Sequence, residues 1–248
     1  MMKKVGKKFL FLIGLLLIVF SSFHYLLPVN GEDHQSSTKE TTMTTQKEKK
    51  YILLDVPLES QFEEPALENG CEVTSLSMLL TYYGYHTTKN QLAKQLQYVP
   101  VFNENGTHGD PNEGFVGDIS GGDWAMGAYV PSIASLAQQI VKTDYHTFAR
   151  TDASLKDIKK ALQQGHPVWV SVTIDFQVPS EDDFVTWQTH NGKVRVTPLI
   201  HACVVTGYDK KNMYVNDPYG KKNRSVPIKD FNLIFKAMGG QMLTLQKS

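Results

Sequence analysis

The sequence predicts an α+β domain in which a cysteine-bearing helix from the first half packs on an antiparallel sheet from the second. Three observations predict it. An apolar helical period, VTSLSMLLTYYGY, starts directly after Cys71-Glu72. Three more helices follow before residue 165. From VWVSVTI onward the chain then reads as strands joined by short turns.

The 248 residues suit one sizeable domain behind a leader. Lysines at 3, 4, 7 and 8 precede an almost uncharged apolar run over residues 9–27, which orients the N-terminus towards the cytoplasm and predicts export of the rest of the chain. Residues 1–30 read as a signal peptide or signal anchor. The run is long enough to span a bilayer and no Ala-x-Ala site comes after it, so a retained anchor is favoured, and with it membrane attachment. No cysteine ends the run, which excludes lipid attachment there. Residues 31–50, rich in Thr, Ser, Lys and Glu, read as a disordered tether, and residues 51–248 as the folded domain. A formal net charge of zero gives no basic face for nucleic acid.

The domain opens with YILLDVPL, a short strand. After the Cys71 helix, Thr87-Thr88 leads into a helix with Leu92 and Leu96 one turn apart. A glycine-rich stretch from Val101 comes next and predicts a long ordered loop, with Trp124 or Tyr129 as candidates to line a cleft. Pro131 opens a helix with Ile133, Leu136 and Ile140 on one face. Ser154 caps a third helix that stops at Gly165, and His166 falls in the turn. VWVSVTI, apolar throughout, is expected to be a central strand. Asn191-Gly192 signals a type I′ hairpin whose Trp187 is a candidate to overhang the cleft. TPLIHACVVTGYD and NMYVNDPYG then form a hairpin about a turn at 209–212.

That last hairpin brings its outer ends together, so Asp217 is expected near His201 despite the gap in sequence. Cys71, at a helix N-terminus, is a candidate nucleophile, because the unpaired N–H groups and dipole there favour an anion. A thiol nucleophile needs a base, a group that orients the base, and donors for the oxyanion. His201 is the candidate base, Asp217 the orienting carboxylate, and Gln61 a donor beside the Cys71 backbone N–H.

Taken together, Gln61, the Gly-Cys-Glu that opens SLSMLLTYYG, Gly-His-Pro-Val before an apolar strand, His-Ala-x-Val-Val-x-Gly-Tyr-Asp and Val-Asn-Asp-Pro resemble the bacterial C39-like peptidases. That group is related to the bacteriocin-processing, double-glycine peptidases and has a papain-like fold. The resemblance covers roughly residues 53–245. It implies Cys71 as nucleophile, His201 as general base, Asp217 as its orienting partner and Gln61 as oxyanion donor, acting on a peptide or protein. It implies no cofactor. Two departures stand out. Glu72 sets a negative charge beside the thiol, which opposes thiolate formation unless the side chain points away. The interval from Gln61 to Cys71 is also longer than is typical of papain.

Two other readings use the same residues: an amidase or acyltransferase with the same triad, and a binding module that keeps the scaffold without catalysis. His108, Asp110, Asp118 and Asp123 match no ligand spacing, so no metal is expected. Cys203, two residues beyond His201, is expected to be a buried free thiol rather than a disulfide partner of Cys71.

Overall fold

The computed structural model describes residues 50–121 and 124–248; the leader, all of the tether but Lys50, and Asp123 lie outside the described residues. The chain runs β1 (Ile52–Leu53), α1 (Cys71–Tyr82), α2 (Lys89–Gln95), β2 (Tyr98–Val99), β3 (Phe115–Gly117), β4 (Ala125–Gly127) and α3 (Val130–Val141). It continues through β5 (Tyr145–Arg150), α4 (Leu155–Gln163), β6 (Val168–Thr173), β7 (Val185–Thr189), β8 (Gly192–Val196) and β9 (Ile200–Tyr208). It closes with β10 (Asn212–Asp217), β11 (Lys221–Pro227), α5 (Ile228–Ala237) and β12 (Met242–Lys247).

The main sheet has the order β11-β10-β9-β6-β12-β5, and β1 pairs with the end of β9 that β6 leaves free. Every pairing in it is antiparallel. β6 is buried along its whole length because both faces are covered, which is why its sequence is apolar without alternation. Successive residues divide between the two layers. Trp169, Ala202 and Val204 join the core under α1, α2 and α3, while Val168, Val170, Cys203 and Val205 join the core under α4 and α5.

Ten residues of α1 are buried, since it lies between the sheet and its neighbours α2 and α3 rather than on the surface. Thr88 closes a capping box on α2 with Gln91, and Ser154 does the same for α4 with Asp157. These local signals fix where the helices begin.

Three features differ from expectation. The glycine-rich segment is not all loop: β2, β3 and β4 form a small sheet of their own. The β7–β8 turn is not type I′, because Gly192 alone takes a left-handed φ, +114°, while neither His190 nor Asn191 does; the turn reverses over these two residues, and Gly192 is paired with Thr189 as the first residue of β8. The C-terminal strand β12 also inserts between β5 and β6, a pairing with no local sequence signal.

Candidate active site

Cys71 is the first residue of α1 and is 7% exposed. Its Sγ donates to Glu72 Oε2 at 3.3 Å. Burial pushes the thiol well up, and the Glu72 carboxyl adds to that; the Ala202 backbone N–H acts the other way. The helix N-terminus thus does not by itself give a low thiol pKa here, because desolvation outweighs it.

The neighbour of Ala202 is His201, buried on β9. Its Nε2 donates to Asp217 Oδ1 at 2.9 Å, which leaves Nδ1 as the nitrogen able to accept a proton. Tyr219 meets the imidazole edge-on at 4.8 Å and Phe176 does so at 6.2 Å, so the ring is fixed on two sides as well as by the carboxylate.

Asp217 ends β10 and is buried. Burial acts to raise its pKa, but His201, the Tyr219 N–H at 3.0 Å and Arg224 Nη1 at 2.9 Å outweigh it and hold the carboxyl at about 2. Arg224 comes from β11, where the register pairs it with Val215, and its guanidinium lies over Phe176 at 4.5 Å.

Gln61 is buried in the loop ahead of α1, and its backbone N–H is tied to Pro218 O at 2.8 Å, next to Asp217. Its side-chain Nε2 donates to Glu68 O at 2.6 Å, and Oε1 accepts nothing among the described residues. One hydrogen of the amide is therefore used to hold the loop, and the other remains.

Gln61, Cys71, His201, Glu72 and Tyr219 line one cavity of about 70 Å³, walled by Ala125, Met126 and Gly127 of β4 and by Pro198 and Ile200. The structure thus gathers Cys71, His201 and Gln61 about one space, with Asp217 behind the histidine. Glu72 does not point away: Oε1 accepts the Ala128 N–H at 3.0 Å and Oε2 meets the sulfur. Sequence reasoning misses Tyr219 and Arg224. Tyr219 is visible there only as part of the Asp-Pro-Tyr-Gly turn, and nothing in the sequence ties Arg224 to Asp217.

None of the aromatic cleft candidates Trp124, Tyr129 and Trp187 lines this cavity. Tyr129 donates to Arg195 O at 2.6 Å and lines a separate cavity of about 480 Å³ with Phe184 and Gln241. Trp124, half-exposed, precedes the β4 wall and tilts against Trp187 at 5.8 Å. Trp187 is buried with Val116, Met126 and Val196 and stacked on His108 at 4.0 Å, so it pins the β7–β8 hairpin rather than overhanging the cavity. Asp110 accepts from Asn112, Thr189 and Asn191. Asp118 accepts from Ser120. Among the described residues no three His, Cys, Asp or Glu side chains converge as a metal site. Both cysteines are free, and Cys203 lies in the core under α4 and α5.

Known proteins resemble this chain over most of its length. The model of the Peptidase C39 like family matches residues 53–243. The uncharacterized protein YvpB of Bacillus subtilis (strain 168) is 43% identical over 194 residues, 78% of this chain and 76% of that protein. A crystal structure of a candidate C39-like peptidase from Bacillus anthracis superposes with a TM-score of 0.75 at 33% identity, covering 81% of this chain and 99% of that one. With an α+β, papain-like fold and a family match over most of its length, the chain belongs to the C39-like peptidase family.

Proposed function

We propose that this protein is an exported cysteine peptidase that hydrolyses peptide bonds through Cys71, His201 and Asp217. The observation that carries the reading is the His201 Nε2 to Asp217 Oδ1 hydrogen bond at 2.9 Å, made at the cavity that Cys71 shares. With Nε2 committed, Nδ1 takes the thiol proton, and Asp217 fixes the tautomer and stabilises the imidazolium that results.

The Cys71 thiolate attacks the scissile carbonyl carbon, and negative charge collects on its oxygen. The Cys71 backbone N–H, unpaired at the start of α1, and the remaining N–H of Gln61 Nε2 are the donors for that oxygen. His201 returns the proton to the leaving amine. It then takes a proton from water, which adds to the thioester and releases the acid. Export rests on the lysines ahead of the apolar run at residues 9–27. No helix among the described residues is long and apolar enough to cross a membrane.

The test is peptide hydrolysis by the full-length chain in detergent, read by mass spectrometry on a mixed peptide library. Cleavage that disappears in Cys71→Ala supports the reading. Full cleavage by Cys71→Ala sinks it.

A further inference from the structure

Glu72 is a buried carboxyl at the reacting sulfur, and no lysine or arginine lines the cavity beside it. Its setting is built from three parts of the chain. The Ala128 N–H, far along the sequence, holds Oε1 and so leaves Oε2 as the oxygen that carries a proton. A Cβ at Gly127 would run into Oε1, so the carboxyl occupies the space a side chain there would fill. Trp169 Nε1 donates to the Glu72 backbone carbonyl at 3.1 Å, which fixes this turn of α1 against β6. Oε2 then lies 3.3 Å from Cys71 Sγ, a separation that serves S–H to O or O–H to S equally.

We propose that Glu72 is a further catalytic residue of this site: its protonated carboxyl donates to the Cys71 thiolate, and its ionised form holds the sulfur as thiol. The inference rests on the cysteine peptidase reading. Its proton balance is simple. With Glu72 protonated, moving the thiol proton to His201 Nδ1 yields thiolate, neutral carboxyl and imidazolium, and no proton enters or leaves. With Glu72 ionised, the same transfer sets two negative charges side by side in a buried site, so the proton stays on the sulfur and the S–H donates a hydrogen bond to the carboxylate.

The other groups around Glu72 do not change that sign. They are Cys71 on its own helix, Glu68 in the preceding loop, Tyr98 on β2, and His201 and Tyr219 across the cavity, with Asp217 and its partner Arg224 behind the histidine. Glu68 and Asp217 are acidic and disfavour a second anion. Burial raises the Glu72 carboxyl to about 7, against the Ala128 N–H that acts to lower it, so the change falls in the neutral range. The site is thereby set to work at neutral and mildly acid pH and to fall quiet as pH rises.

The experiment is alkylation of Cys71 by iodoacetamide from pH 5 to 9 in the full-length chain, counted by peptide mass spectrometry, for wild type, Glu72→Gln and His201→Ala. In wild type the rate is expected to drop about tenfold between pH 6 and pH 8, a like-charge effect of about one pKa unit. Glu72→Gln keeps a donor that never ionises, so its rate stays within about twofold over that range and exceeds wild type at pH 8. A wild-type rate that climbs through pH 6 to 8, or an unchanged profile in Glu72→Gln, overturns the inference. His201→Ala tells the two failures apart. A His201-dependent rate with no effect of Glu72 overturns this inference alone, whereas a rate indifferent to His201 overturns the peptidase reading and this inference with it. If Glu72→Gln does not fold, carboxyl-carbon NMR of wild type labelled at glutamate decides: one carboxyl titrating near neutral supports the inference, and all titrating below pH 5.5 overturns it.

Discussion

His201 and Asp217 meet at 2.9 Å because β9 and β10 pair antiparallel about the turn at Asp209, where the Asp209 N–H donates to Asn212 O at 2.9 Å. A register shift between Tyr214 and Val215 bends β10 as it approaches the carboxylate. The pair is thus a product of hairpin geometry, and the chemistry proposed for it inherits that rigidity.

Asp217→Asn is expected to lower peptide hydrolysis by about 10² to 10⁴-fold with little change in fold, since an amide no longer fixes the imidazole tautomer. It also alters acid stability. The carboxyl is held at about 2 in the fold against an ordinary value of 3.8. A depressed pKa contributes stability above pH 4 that is lost as pH falls towards 2, amounting to about 2 kcal/mol. Urea unfolding of wild type between pH 5 and 2 should show that loss, and Asp217→Asn should lack it.

Gln61→Ala is expected to reduce kcat by about 10- to 1000-fold with KM nearly unchanged, the signature of a donor used only when the oxyanion forms. Because Nε2 also donates to Glu68 O, a loss of thermal stability accompanies it. A KM effect without a kcat effect would assign Gln61 to loop support alone.

Gly127→Ala should destabilise the fold by about 1–3 kcal/mol, read from the urea midpoint. The residue has φ +81° and faces the Glu72 carboxyl, so an added methyl must displace Oε1 from the Ala128 N–H. Alanine at Gly165, also left-handed but with open space around it, should cost only the backbone strain, about 1 kcal/mol.

Cys203→Ala is expected to leave hydrolysis intact while costing about 1–2 kcal/mol of stability, because the thiol is wholly buried in the core under α4 and α5. Mass spectrometry without reductant should find both thiols free. A Cys71–Cys203 disulfide in the active protein would contradict this arrangement.

Several of these relationships are readable from the chain. An apolar helical period starting at Cys71 fixes the cysteine at the first position of α1, and a continuous apolar run makes β6 an interior strand. The four-residue turn after Tyr208 is enough to send Asp217 back towards His201. Such features come from local propensity and period, which act over a few residues. The small sheet within the glycine-rich segment is not readable, because its strands are two or three residues long and gain their order from each other.

The sequence by itself determined the helix that presents Cys71, the hairpin that pairs His201 with Asp217, and the helices and central strand that lie between them. Only the tertiary structure decided that Glu72 turns towards the sulfur, that Gln61 is tied to Glu68 and Pro218, that Arg224 backs Asp217, and that β12 enters between β6 and β5. Helical phase and strand period set where a residue sits on its own element. The direction of a buried polar side chain depends instead on which donor or empty space a distant segment brings to it, here the Ala128 N–H and the missing side chain of Gly127.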